Sequence, residues 1–195
     1  MTRKRVAILI SGRGSNMAAL IEAAKAADYP AEIALVVSNV ADAAGLARAR
    51  EAGVATAVLD HKPFGKDRAA FESALQSILD ERRIELICLA GFMRLFTAEF
   101  VQRWSGRMLN IHPSLLPLFP GLDPHGQALR AGAKTSGATV HFVIPETDAG
   151  PIIAQESVPV LAHDTPDTLA ARVLEAEHRL YPAALRRVAE GRRPI

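Results

Sequence analysis

The sequence contains a single cysteine, Cys88, in 195 residues. One cysteine excludes an internal disulfide and a cysteine-rich metal site. It lies in LICLAG, an apolar run, which favours a buried structural thiol over a nucleophile. An excess of either charge is also lacking: 23 Lys and Arg against 21 Asp and Glu give a formal net charge of +2. A nucleic-acid partner demands clustered cations, so none is expected. The densest basic runs, TRKR at the start and GRRPI at the end, read as solvated tails. No apolar run approaches the roughly 20 residues that cross a bilayer, and VAILI is too short for a signal-peptide core. The expected location is cytoplasmic, with no membrane partner. HExxH and any Cys/His cluster are missing, so no metal is expected.

What is present is an ordinary globular composition, 49% hydrophobic and 23% charged, in a chain long enough for one substantial α/β core. RVAILI, AEIALVVSN, VATAVL, IELICLAG and RMLNIH read as strands. Between them MAALIEAAKAAD, ADAAGLARAREAG, KDRAAFESALQSILDER and TAEFVQRWSG carry helical spacing. PSLLPLFPGLDPHG is rich in Pro and Gly and reads as a loop, of a length that usually serves function. GATVHFVI and PIIAQESVPV read as a hairpin-like pair. TPDTLAARVLEAEHRLYPAALRRVAEG closes the chain as a helix capped by Thr165, with Pro166 at its first position and Pro182 expected to kink or interrupt it. The fold class that follows is α/β: a single doubly wound, Rossmann-like domain over 1–195. Its sheet is mostly parallel, with an antiparallel edge near the C-terminal part. Residues 1–104 form an expected phosphate-binding half and residues 105–195 a catalytic half that also binds the co-substrate.

Two segments fall at strand ends, where ligands bind in such sheets. SGRGSN joins the first strand to a helix. The backbone amides of Gly14, Ser15 and Asn16 at a helix N-terminus suit a phosphate. The plain structural alternative is a tight turn capped by Ser15 or Asn16. Met17 stands where a dinucleotide fingerprint needs its third glycine, and no Gly-Lys-Ser/Thr triplet follows, so a monophosphate fits better than NAD or ATP.

In RMLNIHPSLLP, Asn110 and His112 are two apart and share one face of a strand, and Pro113 holds His112 extended. An amide donor beside a titratable ring can stabilise an oxyanion and move a proton. Asp148, in ETDAGP, is a carboxylate that would favour the imidazolium if the fold brings it near. The bland alternatives are a capping pair for Asn110 and His112 and a turn aspartate for Asp148. Arg94, beside Phe92, Met93 and Phe96, offers an apolar slot with one charged edge. Arg68 at a helix start reads as solvated on its own. His141 reads as a core or interface histidine, His125 as either site-lining or surface, and His61 and His163 as exposed. His178 lacks a second ligand at metal spacing.

SGxGSN, LAGFMR, LNIHPSLLP, FPG and D-x-GPI occur here in the order and spacing of the phosphoribosylglycinamide formyltransferases. From RVAILISGRGSN to EAEHRLYPAAL, the chain resembles that folate-dependent family of purine synthesis. The resemblance implies transfer of a formyl group from 10-formyltetrahydrofolate, a co-substrate, to glycinamide ribonucleotide, with small-molecule partners and a monomer or homodimer. It implies that Gly14, Ser15 and Asn16 hold the substrate phosphate and that Glu177 contacts the ribose. Arg68, Met93, Arg94, Leu95 and Phe96 would bind folate, Asn110 would contact the formyl group, His112 would donate the proton, and Asp148 would support it. It also implies a cis Leu116–Pro117 bond. Pro124 and Gly126 depart from the pattern, which usually has Thr and a larger residue. The nearest rivals are formyltetrahydrofolate deformylase, which carries an extra N-terminal domain, and methionyl-tRNA formyltransferase, which adds a C-terminal domain and lacks SGxGSN. Another acceptor amine, or a nucleotide-binding Rossmann module without folate chemistry, are further alternatives.

Overall fold

Val6, Ala7, Ile8, Leu9 and Ile10 are fully buried, so the first strand is covered on both faces, as in a sheet flanked by helices. In the computed structural model, residues 3–192 are described. They form β1 (Lys4–Ile10), α1 (Ser15–Ala24), β2 (Ala31–Ser38), α2 (Ala44–Glu51), β3 (Thr56–Val58), α3 (Arg68–Glu81) and β4 (Leu86–Leu89). Then come α4 (Ala98–Arg103), β5 (Met108–His112), α5 (Pro124–Arg130), β6 (Thr135–Phe142), β7 (Ile152–Pro159) and α6 (Pro166–Ala189). The strands make one sheet in the order β3-β2-β1-β4-β5-β6-β7. Pairing is parallel from β3 to β5 and antiparallel at β5–β6 and β6–β7. The doubly wound sheet with an antiparallel C-terminal edge is therefore as expected.

The two faces carry separate cores. On one, α1, α2, α5 and α6 contribute Met17, Leu20, Leu46, Ala128, Val173 and Leu185. On the other, α3 and α4 contribute Phe71, Leu75, Leu79, Phe100 and Trp104 against β1, β2, β4 and Met108 of β5. Among the described residues no β6 side chain joins this second cluster. Past Met108 that face is left without a covering helix, and this opening is where the site forms. Cys88 is buried between the layers, and burial pushes its thiol up to about 12 against a lesser pull from Tyr181. It is the structural thiol expected.

Three local expectations are corrected. Helix α6 runs unbroken through Pro182. Leu180, Tyr181, Ala184 and Leu185 are buried on either side of it, and this packing outweighs the one backbone bond that proline removes. The opening basic run is not a tail: Lys4 and Arg5 lie in β1 and pair with Glu85 and Glu32, while Arg3 donates to the Ala31 carbonyl at 2.7 Å. At the other end Arg192 pairs with Glu190, and Arg193, Pro194 and Ile195 lie outside the described residues. Finally, the Pro/Gly segment ends sooner than expected, because α5 starts at Pro124 under an Asp123 cap.

Candidate active site

Asn110 and His112 lie within the last three residues of β5 and face the uncovered side of the sheet. Their neighbour on that face is His141, the register partner of Asn110 across β6. The Asn110 amide nitrogen lies 3.3 Å from His141 Nε2. His141 Nδ1 lies 3.0 Å from the Phe142 carbonyl oxygen, which fixes the ring proton on Nδ1 and leaves Nε2 as acceptor. Burial lowers the His141 pKa, with the Phe142 carbonyl and Asp148 acting the other way. His141 is the core histidine expected from the sequence, but its contact with Asn110 was not foreseen. The available signal was a polar residue in the otherwise apolar run TVHFV.

The β6–β7 connection folds back over this group and delivers Asp148, whose backbone sits in the left-handed region with φ 55°. Its Oδ2 is 3.5 Å from His112 Nδ1, its Oδ1 is 3.8 Å from His141 Nε2, and Oδ2 accepts the Gly121 N–H at 2.9 Å. Asp148 and His112 side chains are each 8% exposed. On the other side of its ring, His112 Nε2 lies 3.0 Å from the Phe119 carbonyl oxygen. Both ring nitrogens thus face oxygen acceptors. At 3.5 Å the Nδ1 contact is an ion-pair distance rather than a formed hydrogen bond, so that nitrogen is available to another acceptor. The fold therefore brings together the three residues singled out for chemistry.

The 113–123 loop is stitched to this site. Leu116–Pro117 is cis, as expected. The departure at Gly126 has a physical cause: Asp123 Oδ1 accepts the Gly126 N–H and Oδ2 pairs with Arg130. A Cβ at position 126 would sit 2.3 Å from Asp123 Oδ2. His125, just inside α5, is half-buried, and burial lowers its pKa, with Asp123 raising and His112 lowering it further.

Between β4 and α4 the chain runs irregularly through Phe92, Met93, Arg94, Leu95 and Phe96. Phe92, Arg94, Leu95 and Phe96 of this segment, with Arg68, Asn110, His141 and the 143–148 connection, line a cleft of about 260 Å³. Phe92 and Phe96 stack at 5.4 Å, and the Arg94 guanidinium lies 5.0 Å over the Phe71 ring. Met93 and Leu95 are exposed. The lining includes two guanidiniums, Arg68 and Arg94, and two carboxylates, Glu146 and Asp148.

The glycine loop lies beside it. Ser11 N–H donates to the Gly91 carbonyl at 3.1 Å, and the Met93 N–H donates to Ser11 Oγ at 2.8 Å. Gly14, not Ser15 or Asn16, is the N-cap of α1. It has φ 69°, and among the described residues no side chain caps this end. The first N–H groups of α1 therefore keep their anion-binding capacity. Asn16 turns instead to α6, donating from Nδ2 to Glu177 Oε2 at 2.7 Å. Its buried Oδ1 has no partner among the described residues. Burial raises the Glu177 pKa, and the Asn16 bond offsets part of the rise. Gly45 of α2 was also missed: its N–H donates to the Gly12 carbonyl at 3.0 Å, so the helix backbone touches the loop directly. His61 is not simply exposed; its Nδ1 lies 2.9 Å from the Asn39 carbonyl oxygen, and Asn39 bonds Ser11.

A parallel sheet that sets an amide, an imidazole and a carboxylate beside a helix-end anion cradle defines the class: the chain belongs to the formyl transferase family, which matches residues 4–185. More particularly, it is similar to phosphoribosylglycinamide formyltransferases. The Escherichia coli enzyme is 46% identical over 187 residues, covering 96% of this chain and 88% of that protein. The crystal structure of the Brucella melitensis enzyme aligns with a TM-score of 0.92 at 56% identity, covering 96% of each chain. The chicken trifunctional purine biosynthetic protein adenosine-3 is 54% identical over 187 residues, but this chain spans only 18% of its length.

Proposed function

We propose that the chain transfers the formyl group of 10-formyltetrahydrofolate directly to the amine of glycinamide ribonucleotide, giving the N-formyl product and tetrahydrofolate. The observation that carries the reading is the contact of one carboxylate, Asp148, with two imidazoles, His112 and His141, the second of which accepts from Asn110. In this reading residues 1–104 supply the phosphate cradle of Gly14, Ser15 and Asn16 and part of the folate wall, Arg68 with Met93–Phe96. Residues 105–195 supply the reacting groups and Glu177, which accepts from the ribose hydroxyls.

The amine nitrogen attacks the formyl carbon. The second N–H of Asn110, not used by His141, and the His112 N–H donate to the oxyanion that forms. The bond from the formyl carbon to the folate nitrogen then breaks. Asp148 relays the proton lost by the amine to that nitrogen through water. No covalent enzyme intermediate is required.

Mass spectrometry of products from glycinamide ribonucleotide and 10-formyltetrahydrofolate tests this. Equal amounts of N-formyl ribonucleotide and tetrahydrofolate are expected. Formate without an N-formyl amine would identify a hydrolase instead. Formylation of a different amine in preference would reassign the acceptor.

A further inference from the structure

We propose that Glu72, on the buried face of α3, is a positioning residue for the folate: it fixes the wall segment 93–96 against the helix that carries Arg68. The proposal rests on the folate reading of the cleft. Segment 90–97 forms neither helix nor strand, so its shape must come from side-chain anchors. Its front is held by the Met93 N–H on Ser11 Oγ. At its rear Glu72 takes the Thr97 N–H at 2.6 Å on Oε1 and the Thr97 hydroxyl on Oε2, beside the stack of Phe96 on Phe100. Glu72 is only 6% exposed, and both oxygens are committed to this one residue.

Capping α4 does not account for the carboxylate. The Thr97 oxygen already accepts the Phe100 N–H as an N-cap, so the side-chain cap of α4 is made without Glu72. Burying a carboxylate is costly unless it is fully hydrogen-bonded. What Glu72 adds is a tie between two pieces of chain. Arg68 lies four residues before it, one turn away on α3. Arg94 lies three residues before Thr97, with its guanidinium over Phe71, the neighbour of Glu72. Both guanidiniums border the same cleft. Two cations recognise a carboxylate-bearing end only at a set spacing and angle, and the Glu72–Thr97 bonds set the spacing here.

The test combines steady-state kinetics, with each substrate varied in turn, and fluorescence titration with a folate analogue. The proteins are the wild type, Glu72→Ala, Glu72→Gln, Arg94→Ala and the Glu72→Ala/Arg94→Ala double variant. Glu72→Ala is expected to raise the KM for formylfolate and the analogue Kd about tenfold, with the KM for the ribonucleotide within about twofold of wild type. Glu72→Gln is expected to recover most of the affinity, because its carbonyl still accepts the Thr97 N–H. In the Arg94→Ala background, Glu72→Ala is expected to add less than about twofold, since residues acting through one another are not additive. Equal rises in both KM values, an unchanged analogue Kd, or strict additivity would overturn the proposal and leave Glu72 a structural residue. If Glu72→Ala does not fold, Thr97→Ala serves: a rise in the formylfolate KM alone is expected, and no change overturns the proposal. Failure of the wild type to bind the analogue overturns the folate reading itself, and the titration reports that first.

Discussion

His141 accepts from the amide of its cross-strand partner Asn110, with Nε2 3.3 Å from the amide nitrogen. A side-chain amide has a donor end and an acceptor end of nearly the same shape. The acceptor nitrogen of His141 decides which end of Asn110 faces the ring, and so which atoms face a formyl oxygen. His141→Phe keeps a ring but removes the acceptor. We expect kcat to fall by about tenfold to a hundredfold, with both KM values little changed. Because burial lowers the His141 pKa, the ring stays a neutral acceptor to a lower pH than a solvated histidine would. In the wild type this contribution fades only as pH falls through the depressed value, and a pH profile of kcat for both proteins measures it.

His112 and Asp148 form the second testable pair. Asp148→Asn keeps an acceptor for the Gly121 N–H but removes the charge opposite His112. The loop contact survives and the electrostatic one does not. We expect a loss of about a hundredfold or more in kcat, and a loss at least as large for His112→Ala. Far-UV circular dichroism should match wild type for both. Wild-type turnover in either variant sinks the mechanism.

Local patterns carried the sheet and its order of elements, because buried strands and amphipathic helices are written in short-range periodicity. The two-residue spacing of Asn110 and His112 was legible for the same reason. Asp148 was legible as a candidate, but its approach to His112 depends on a connection folding back over a helix-free part of the sheet. No local pattern encodes that. His141 is the buried, hydrogen-bonded histidine expected, but its contact with Asn110 comes from antiparallel register, a long-range fact that the sequence does not show. The backbone contact of Gly45 with Gly12 is likewise set by how α2 packs, not by the residues around it. Pro182 misled in the opposite direction: local propensity argued for a break, and burial on both sides of it prevailed.

Gly45 gives a prediction from close approach. A Cβ there would sit 2.5 Å from Ile10 Cδ1 and 3.0 Å from the Gly12 carbonyl oxygen. Ile10 can shift its side-chain end, but the Gly12 backbone cannot yield without moving the loop. Gly45→Ala should therefore raise the KM for the phosphorylated amine, by about tenfold. The KM for formylfolate should stay near wild type, as should the KM of either substrate in an Ala44→Ser control at the exposed neighbour. Steady-state kinetics with each substrate varied would expose an error here: equal effects on both substrates would mean that the loop does not hold the phosphate.

Glu177 links the site to stability. Its carboxyl is buried, and burial raises its pKa above the ordinary value despite the Asn16 bond. The folded protein therefore holds this proton more tightly than the unfolded chain, whose glutamate value is about 4.3. The stabilising contribution is fully present below that unfolded value and is lost as pH rises through the higher folded one. Near neutrality the ionised group lowers stability. Glu177→Gln keeps an acceptor for Asn16 and removes the charge, so its Tm should exceed that of wild type near pH 8. The gap should close as pH is lowered toward about 4. For a chain of this length about 1 kcal/mol corresponds to about 2–4 °C, well within calorimetric resolution. The same variant should bind the ribonucleotide more weakly, since a neutral amide accepts less strongly from the ribose hydroxyls than a carboxylate does. Higher Tm with a raised ribonucleotide KM identifies a destabilising charge kept for binding. A gap that is flat across pH, or of opposite sign near pH 8, would show that Glu177 is not held ionised at a cost.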